Sequence, residues 1–159
     1  MAEESPDDGV IVAQSPDSDR LVAIQPRNNF FALGLAVNML RGKEPFSGYN
    51  FGRLSSVLAG EVLRKHFLFA ARAGKPVGYA GWARCSEAVA KGWIENNRIP
   101  SYEECRDGDW AILLTFFAET RDVTFFLTRE CRKRNPNVKI AAVRDYGERR
   151  RLVRLDRLS

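Results

Sequence analysis

The chain has 159 residues and a mass of 18.0 kDa, 45% of them apolar, a size and composition that suit one domain with one core. Lys and Arg outnumber Asp and Glu by 25 to 20, for a net charge of +5. No uninterrupted apolar run reaches the roughly 18 residues of a membrane span, and three widely spaced cysteines, Cys85, Cys105 and Cys131, argue against a disulfide framework or a zinc signature.

The start, Met1 to Asp8, is acidic and lacks the basic and apolar regions of a signal peptide, so a cytoplasmic location is expected. Residues 1–19 hold six acids and no Lys or Arg, while Arg129 to Ser159 holds eleven bases and four acids. Such a field favours acidic partners: nucleic acid, an anionic membrane or an acidic protein. Scattered Pro, Asp, Ser and Gly make residues 1–28 an expected flexible tail, with Leu21 to Ile24 able to dock, and leave 29–159 as the domain.

Asn28 or Asn29 can cap a first helix over 30–41, where Phe31, Leu35 and Met39 recur at helical spacing. Gly34 costs that helix about 1 kcal/mol unless packing requires it. A loop, Lys43 to Tyr49, leads to a second helix over 53–64 with Leu54, Val57, Leu58 and Val62 on one stripe and Glu61 near its flank. Residues 67–84 read as a β-hairpin turning at Ala73-Gly74-Lys75-Pro76. Its second strand, Val77 to Ala83, has small or apolar residues on both faces, as a central strand does. Gly78 and Gly81 there leave backbone open to close approach, either by a packed helix or by a ligand.

Ser86 caps a third helix over 88–95, and Ser101 and Glu104 form a capping-box pattern. Trp110 to Phe117 is a buried strand, 122–134 a helix with Val123, Phe126, Leu127 and Cys131 in period, and Val138 to Arg144 and Arg151 to Leu155 are strands about a turn at 145–148. This order predicts an α/β domain with a mixed or antiparallel sheet covered by helices.

Three stretches, Ala32 to Leu40, Pro45-Phe46 and Lys75 to Ala83 with its Pro-Val-Gly-Tyr-Ala-x-Trp-Ala motif, resemble the toxin-activating lysine acyltransferases, the hemolysin-activating proteins associated with RTX toxins. Gly108-Asp109 falls where that family has a Ser-Gly-Asp turn. The resemblance covers about residues 30 to 155. It implies a GNAT-like fold with a mixed, largely antiparallel sheet. It also implies transfer of a fatty acyl group from acyl carrier protein to protein lysines, with no metal and no resident cofactor. Two departures accompany it. Ser47 stands where the family has its catalytic histidine, and Thr115 stands where it has its catalytic aspartate.

Ser47, Asp109 and His66, the only histidine, are therefore the expected catalytic candidates, with Asp107 beside Asp109 in one turn. Glu61 and Glu119 are weaker acid–base candidates, and Cys85 reads as a buried thiol rather than an acyl carrier. Gly78, Tyr79, Gly81 and Trp82 are the expected ligand-side residues, with Phe46, Trp82 or Phe116 contributing to an acyl channel. Arg149, Arg150 and Arg151 are the expected partner contacts, for acyl carrier protein or another acidic protein; an acceptor protein and a homodimer complete the partners. The first alternative is a catalytically impaired relative that binds a protein or acyl ligand and regulates it. A nucleic-acid-binding protein is the third option.

Overall fold

The computed structural model describes residues 16–145 and 150–154. Within them the chain runs β1 (Val22–Ile24), α1 (Asn29–Leu40), α2 (Phe51–Leu63), β2 (Phe67–Arg72), β3 (Lys75–Cys85), α3 (Glu87–Asn96), β4 (Trp110–Ala118), α4 (Arg121–Arg134), β5 (Lys139–Asp145) and β6 (Arg150–Arg154). The six strands form one sheet in sequence order. Every neighbouring pair is antiparallel except β4 and β5, which run parallel with α4 as their crossover. The fold is thus α/β, with a mixed, mostly antiparallel sheet flanked by four helices.

Local chemistry sets most boundaries. Asn28, Asn50 and Ser86 are the N-caps of α1, α2 and α3, each accepting a backbone N–H from three residues on. Ser101 and Glu104 bond reciprocally, Ser101 N to Glu104 Oε2 at 2.8 Å and Glu104 N to Ser101 Oγ at 3.3 Å, as the capping-box pattern requires. Ser86→Ala is expected to lower stability by about 1 kcal/mol, read from a urea-unfolding midpoint, because the Val89 N–H loses its acceptor.

The hairpin turns more tightly than expected. Ala73 and Gly74 alone make the turn, at φ of 49° and 73°, the sign that matches the twist of the strands. Lys75 and Pro76 already belong to β3. The register slips between Ala70 and Ala71, so that Val77 has no opposite number, and Pro76 is tolerated beside this bulge. The tail boundary also moves. Residues 16–28 carry a 3-10 turn (Pro16–Asp19) and β1, which pairs with β2 from Val22↔Ala71 to Ile24↔Phe69. Gln25 then donates to the carbonyls of Lys65 and Phe67. The expected tail over 1–15 lies outside the described residues.

β3 is central, between β2 and β4, as its patterning predicted. On one face α1 and α2 bring Ala36, Leu40, Leu58 and Val62 onto Phe67, Phe69 and Tyr79. On the other, α4 sets Val123, Leu127 and Cys131 against Leu68, Ala80 and Trp82. α3 seats Ala90 and Trp93 on Ala83, Cys85 and Ile112. All three cysteines are free and buried, and burial pushes the thiols of Cys85 and Cys131 up to about 12, so they act as small apolar fillers. No helix among the described residues is long and apolar enough to cross a membrane.

Candidate functional site

Two irregularities in β4 create the site. First, the β3–β4 register shifts between Gly81↔Thr115 and Trp82↔Leu113, so Leu114 is an extra residue. Such a bulge re-aims side chains. Leu114 and Thr115 consequently lie toward the same side of the sheet, Leu114 against the α3 cluster and Thr115 opposite Gly81. Second, β4 and β5 pair only from Trp110↔Lys139 to Leu113↔Ala142. β4 continues to Ala118 and β5 to Asp145 without further pairing to each other, so the two strands part at their carboxyl ends.

A cavity of about 560 Å³ fills that opening. Its walls come from both sides of the sheet: Leu113 to Ala118 of β4, Ala142 and Val143 of β5, Thr124 and Thr128 of α4, Leu54 and Val57 of α2, and Trp93 of α3. Phe46 and Tyr49 close it from the loop before α2, where the Glu44–Pro45 bond is cis. The walls mix apolar side chains with polar ones, Thr115, Thr124, Thr128, Asn97, Arg53 and Glu44 among them. Volume and lining are those of a small-ligand site, and its place beyond the carboxyl ends of parallel strands is where open α/β sheets bind ligands.

Behind Thr115 lies a fully buried carboxylate, Glu61 of α2. The Tyr79 hydroxyl donates to its Oε2 at 2.8 Å, and Oε1 has no partner among the described residues. Burial raises the Glu61 carboxyl to about 8, against the opposing effects of the Tyr79 hydroxyl, the Thr115 side chain and the Arg64 charge. Burial, then the same carboxylate, pushes the Tyr79 hydroxyl well above its ordinary value. Sequence periodicity put Glu61 only at the flank of its helix. The signal that could have found it is Gly81: a Cβ there would lie 2.0 Å from Glu61 Oε2, so the glycine makes room for the carboxyl.

The residues expected on the ligand side face packed parts of the core. The space beside Gly78 holds Val123 and Leu127 of α4, with a Cβ at 2.6 Å from Val123 Cγ1, and the space beside Gly81 holds Glu61. Tyr79 and Trp82 are buried in opposite faces of the core. None of the four lines the cavity. Of the aromatics expected in an acyl channel, Phe46 and Phe116 line it and Trp82 does not.

The expected catalytic candidates are not brought together. Ser47 sits in the 3-10 turn Phe46–Gly48 and donates to Glu44 Oε1 in a short hydrogen bond; it faces a smaller hollow beside the cavity. His66 is half-buried and stacked on Trp82 with ring centroids 6.1 Å apart. Burial, then the charges of Arg64 and Arg84, lower it to about 4, so it is neutral at pH 7 and a poor proton acceptor. Asp109 is exposed at the entry to β4, where its carbonyl accepts from Lys139 N. Asp107 stands 3.6 Å from Arg84, whose guanidinium also donates to the Gly108 carbonyl, so this turn is tied down by Arg84. Arg149 lies outside the described residues; Arg150 and Arg151 are in β6, in register with Asp145 and Arg144. No group of three or more His, Cys, Asp or Glu among the described residues could hold a metal ion. No protein-family model matches this chain, and no curated protein matches it significantly.

Proposed function

We propose that this protein is a divergent, GNAT-like acyltransferase that takes a fatty acyl thioester into the cleft between β4 and β5 and transfers the acyl group to a protein lysine. The observation that carries this reading is the cavity at the parting of the two parallel strands. Its apolar side chains suit an acyl chain. The edge of β4 beyond Leu113 has no partner in β5, so its backbone amides can meet a thioester carbonyl as the negative charge develops on oxygen. The donor that the resemblance implies is acyl carrier protein, which is acidic, and the chain is basic.

In the transfer, the lysine nitrogen attacks the thioester carbonyl carbon, the C–S bond breaks, and the sulfur departs as a thiolate that afterwards takes up the one proton the amine gives up. The amine must lose a proton, and neither Ser47 nor His66 lies where it can take it. Thr115 lines the cavity and Glu61 lies behind it, so the Thr115 hydroxyl can pass the proton to ionised Glu61. The position where the resemblance expects an aspartate thus has a carboxylate one layer deeper.

The second reading is a relative that binds the acyl ligand and regulates a partner without turnover. The complete burial of Glu61 favours it. Purified protein, acyl carrier protein thioesters and candidate acceptor proteins separate the two. Enzyme-dependent lysine amides, detected by peptide mass spectrometry, are expected to fall about 100-fold or more in Glu61→Gln and in Thr115→Val. The parent rate is expected to rise with pH through about 8 as Glu61 ionises. Saturable acyl binding with no amide product in the parent supports the regulatory reading instead.

A further inference from the structure

The α1–α2 layer presents its outer surface in an unusual state. α1, Asn29–Leu40, contains no charged residue, and apart from Asn29 and Asn38 it is apolar or glycine throughout, a composition that ordinarily marks a buried helix. Here only Ala32, Ala36 and Leu40 are buried. Phe30 is 88% exposed and Phe31 60%, and Gly34, one turn on, faces open space with nothing within 4 Å of a Cβ. Packing among the described residues therefore gives no reason for that glycine or those rings. α2 adds Phe51 at one end, 75% exposed, and Leu63 at the other. The two helices run in opposite senses. Lys65, just after α2, bonds to Arg27 O and Asn29 at the start of α1, while Arg41 and Phe51 share a hollow at the far end.

The charge of this segment is mostly positive, with Glu44 its one exposed acid. Residues 27–66 contain Arg27, Arg41, Lys43, Arg53, Arg64 and Lys65 against Glu44 and Glu61, and Glu61 is sealed in the core. Exposed rings ringed by cations complement an anionic, apolar partner. The rings are spread over both ends of two helices rather than gathered in one groove, and the one hollow they border, at Phe51 and away from Phe30 and Phe31, is only about 190 Å³. A shaped protein partner would concentrate its anchors in a packed pocket; an extended surface that accepts each ring separately is a lipid interface.

We infer that the α1–α2 layer is a peripheral docking face for an anionic membrane surface, with Phe30, Phe31 and Phe51 entering the headgroup boundary and Arg27, Arg41 and Lys65 held at the phosphates. Attraction of this kind scales with the cations at the surface and is screened by salt. None of these six side chains lines the acyl cavity, although the hollow at Phe51 shares Phe46, Tyr49 and Leu54 with it.

The test is sedimentation of the full chain with vesicles of phosphatidylcholine alone, and of three parts phosphatidylcholine to one part phosphatidylglycerol. Binding is expected only to the anionic vesicles. It should weaken about tenfold or more on raising salt from about 0.1 M to about 0.5 M, and by a similar factor in the double variant Phe30→Ser, Phe31→Ser. Arg27→Gln with Arg41→Gln is expected to lower anionic binding without creating neutral binding. These side chains are exposed, so thermal melts of the variants should match the parent. Equal partition of parent and Phe variant, or equal binding to neutral vesicles, overturns the inference. So does a dimer in the parent that dissociates in the Phe variant, or binding of acyl carrier protein lost in that variant while vesicles are ignored.

Discussion

Gly81→Ala is expected to be among the most damaging single-methyl substitutions in this chain. The added Cβ would lie 2.0 Å from Glu61 Oε2 and 2.5 Å from Oε1, and neither side can yield easily. β3 is held on both edges by β2 and β4, and Glu61 is anchored on α2 and to the Tyr79 hydroxyl. Overpacking a core ordinarily costs about 1–3 kcal/mol, and this contact falls at the upper end or beyond, about 3 kcal/mol. Urea unfolding of a four-protein cycle checks it. Glu61→Ala alone is expected to be costly, because the buried Tyr79 hydroxyl loses its acceptor. In that background Gly81→Ala should cost less than about 1 kcal/mol, because the carboxyl it would strike is gone. Equal costs in the two backgrounds would show that Gly81 is needed for another reason.

Stability should fall as pH rises from about 6.5 to about 8; below about 6.5 His66, which is lowered to about 4 in the native state and so favours folding as pH rises, offsets the Glu61 effect. The Glu61 carboxyl titrates near 4.5 when unfolded and near 8 when folded. Between these values the native state keeps a proton that the unfolded state has released. Glu61 therefore makes unfolding easier as pH rises through that window, by up to about 1.4 kcal/mol per unit, and its effect ends above the folded value. The total is on the order of a few kcal/mol. Glu61→Gln keeps the shape and stays neutral, so the variant should lose most of this slope and exceed the parent in stability at pH 8. The check is the urea midpoint of both proteins from pH 5 to 9. Parallel curves would mean that Glu61 is ionised in the native state at neutral pH.

The two experiments bear on function as well as stability. A carboxyl protonated in most molecules at pH 7 accepts a proton only in the ionised minority, so the stability curve and the acylation rate should report one titration in opposite senses. Higher stability and protonated Glu61 belong to the acid side of that titration; proton acceptance belongs to its alkaline side.

Helix spans, the hairpin and the Asn28, Ser86 and Ser101 caps were legible in the residues because they depend on neighbours within about four positions. The central place of β3 was legible too, since burial on both faces shows as unbroken small and apolar patterning. What lies against Gly78 and Gly81 was not. Whether a glycine faces a ligand, a helix or a carboxylate depends on chain segments far away in sequence, here α4 and α2, brought in by tertiary packing. Glu61 looked peripheral because helical spacing gives an angle about an axis, and only the docking of α2 on the sheet turns that angle into burial. Ser47 and His66 looked chemical because their residue types are, yet the fold leaves one on an exposed turn and the other stacked on Trp82. The cleft itself had no local signal: it arises from one extra residue in β4 and from two parallel strands that stop pairing after Leu113, and strand register is a property of the assembled sheet.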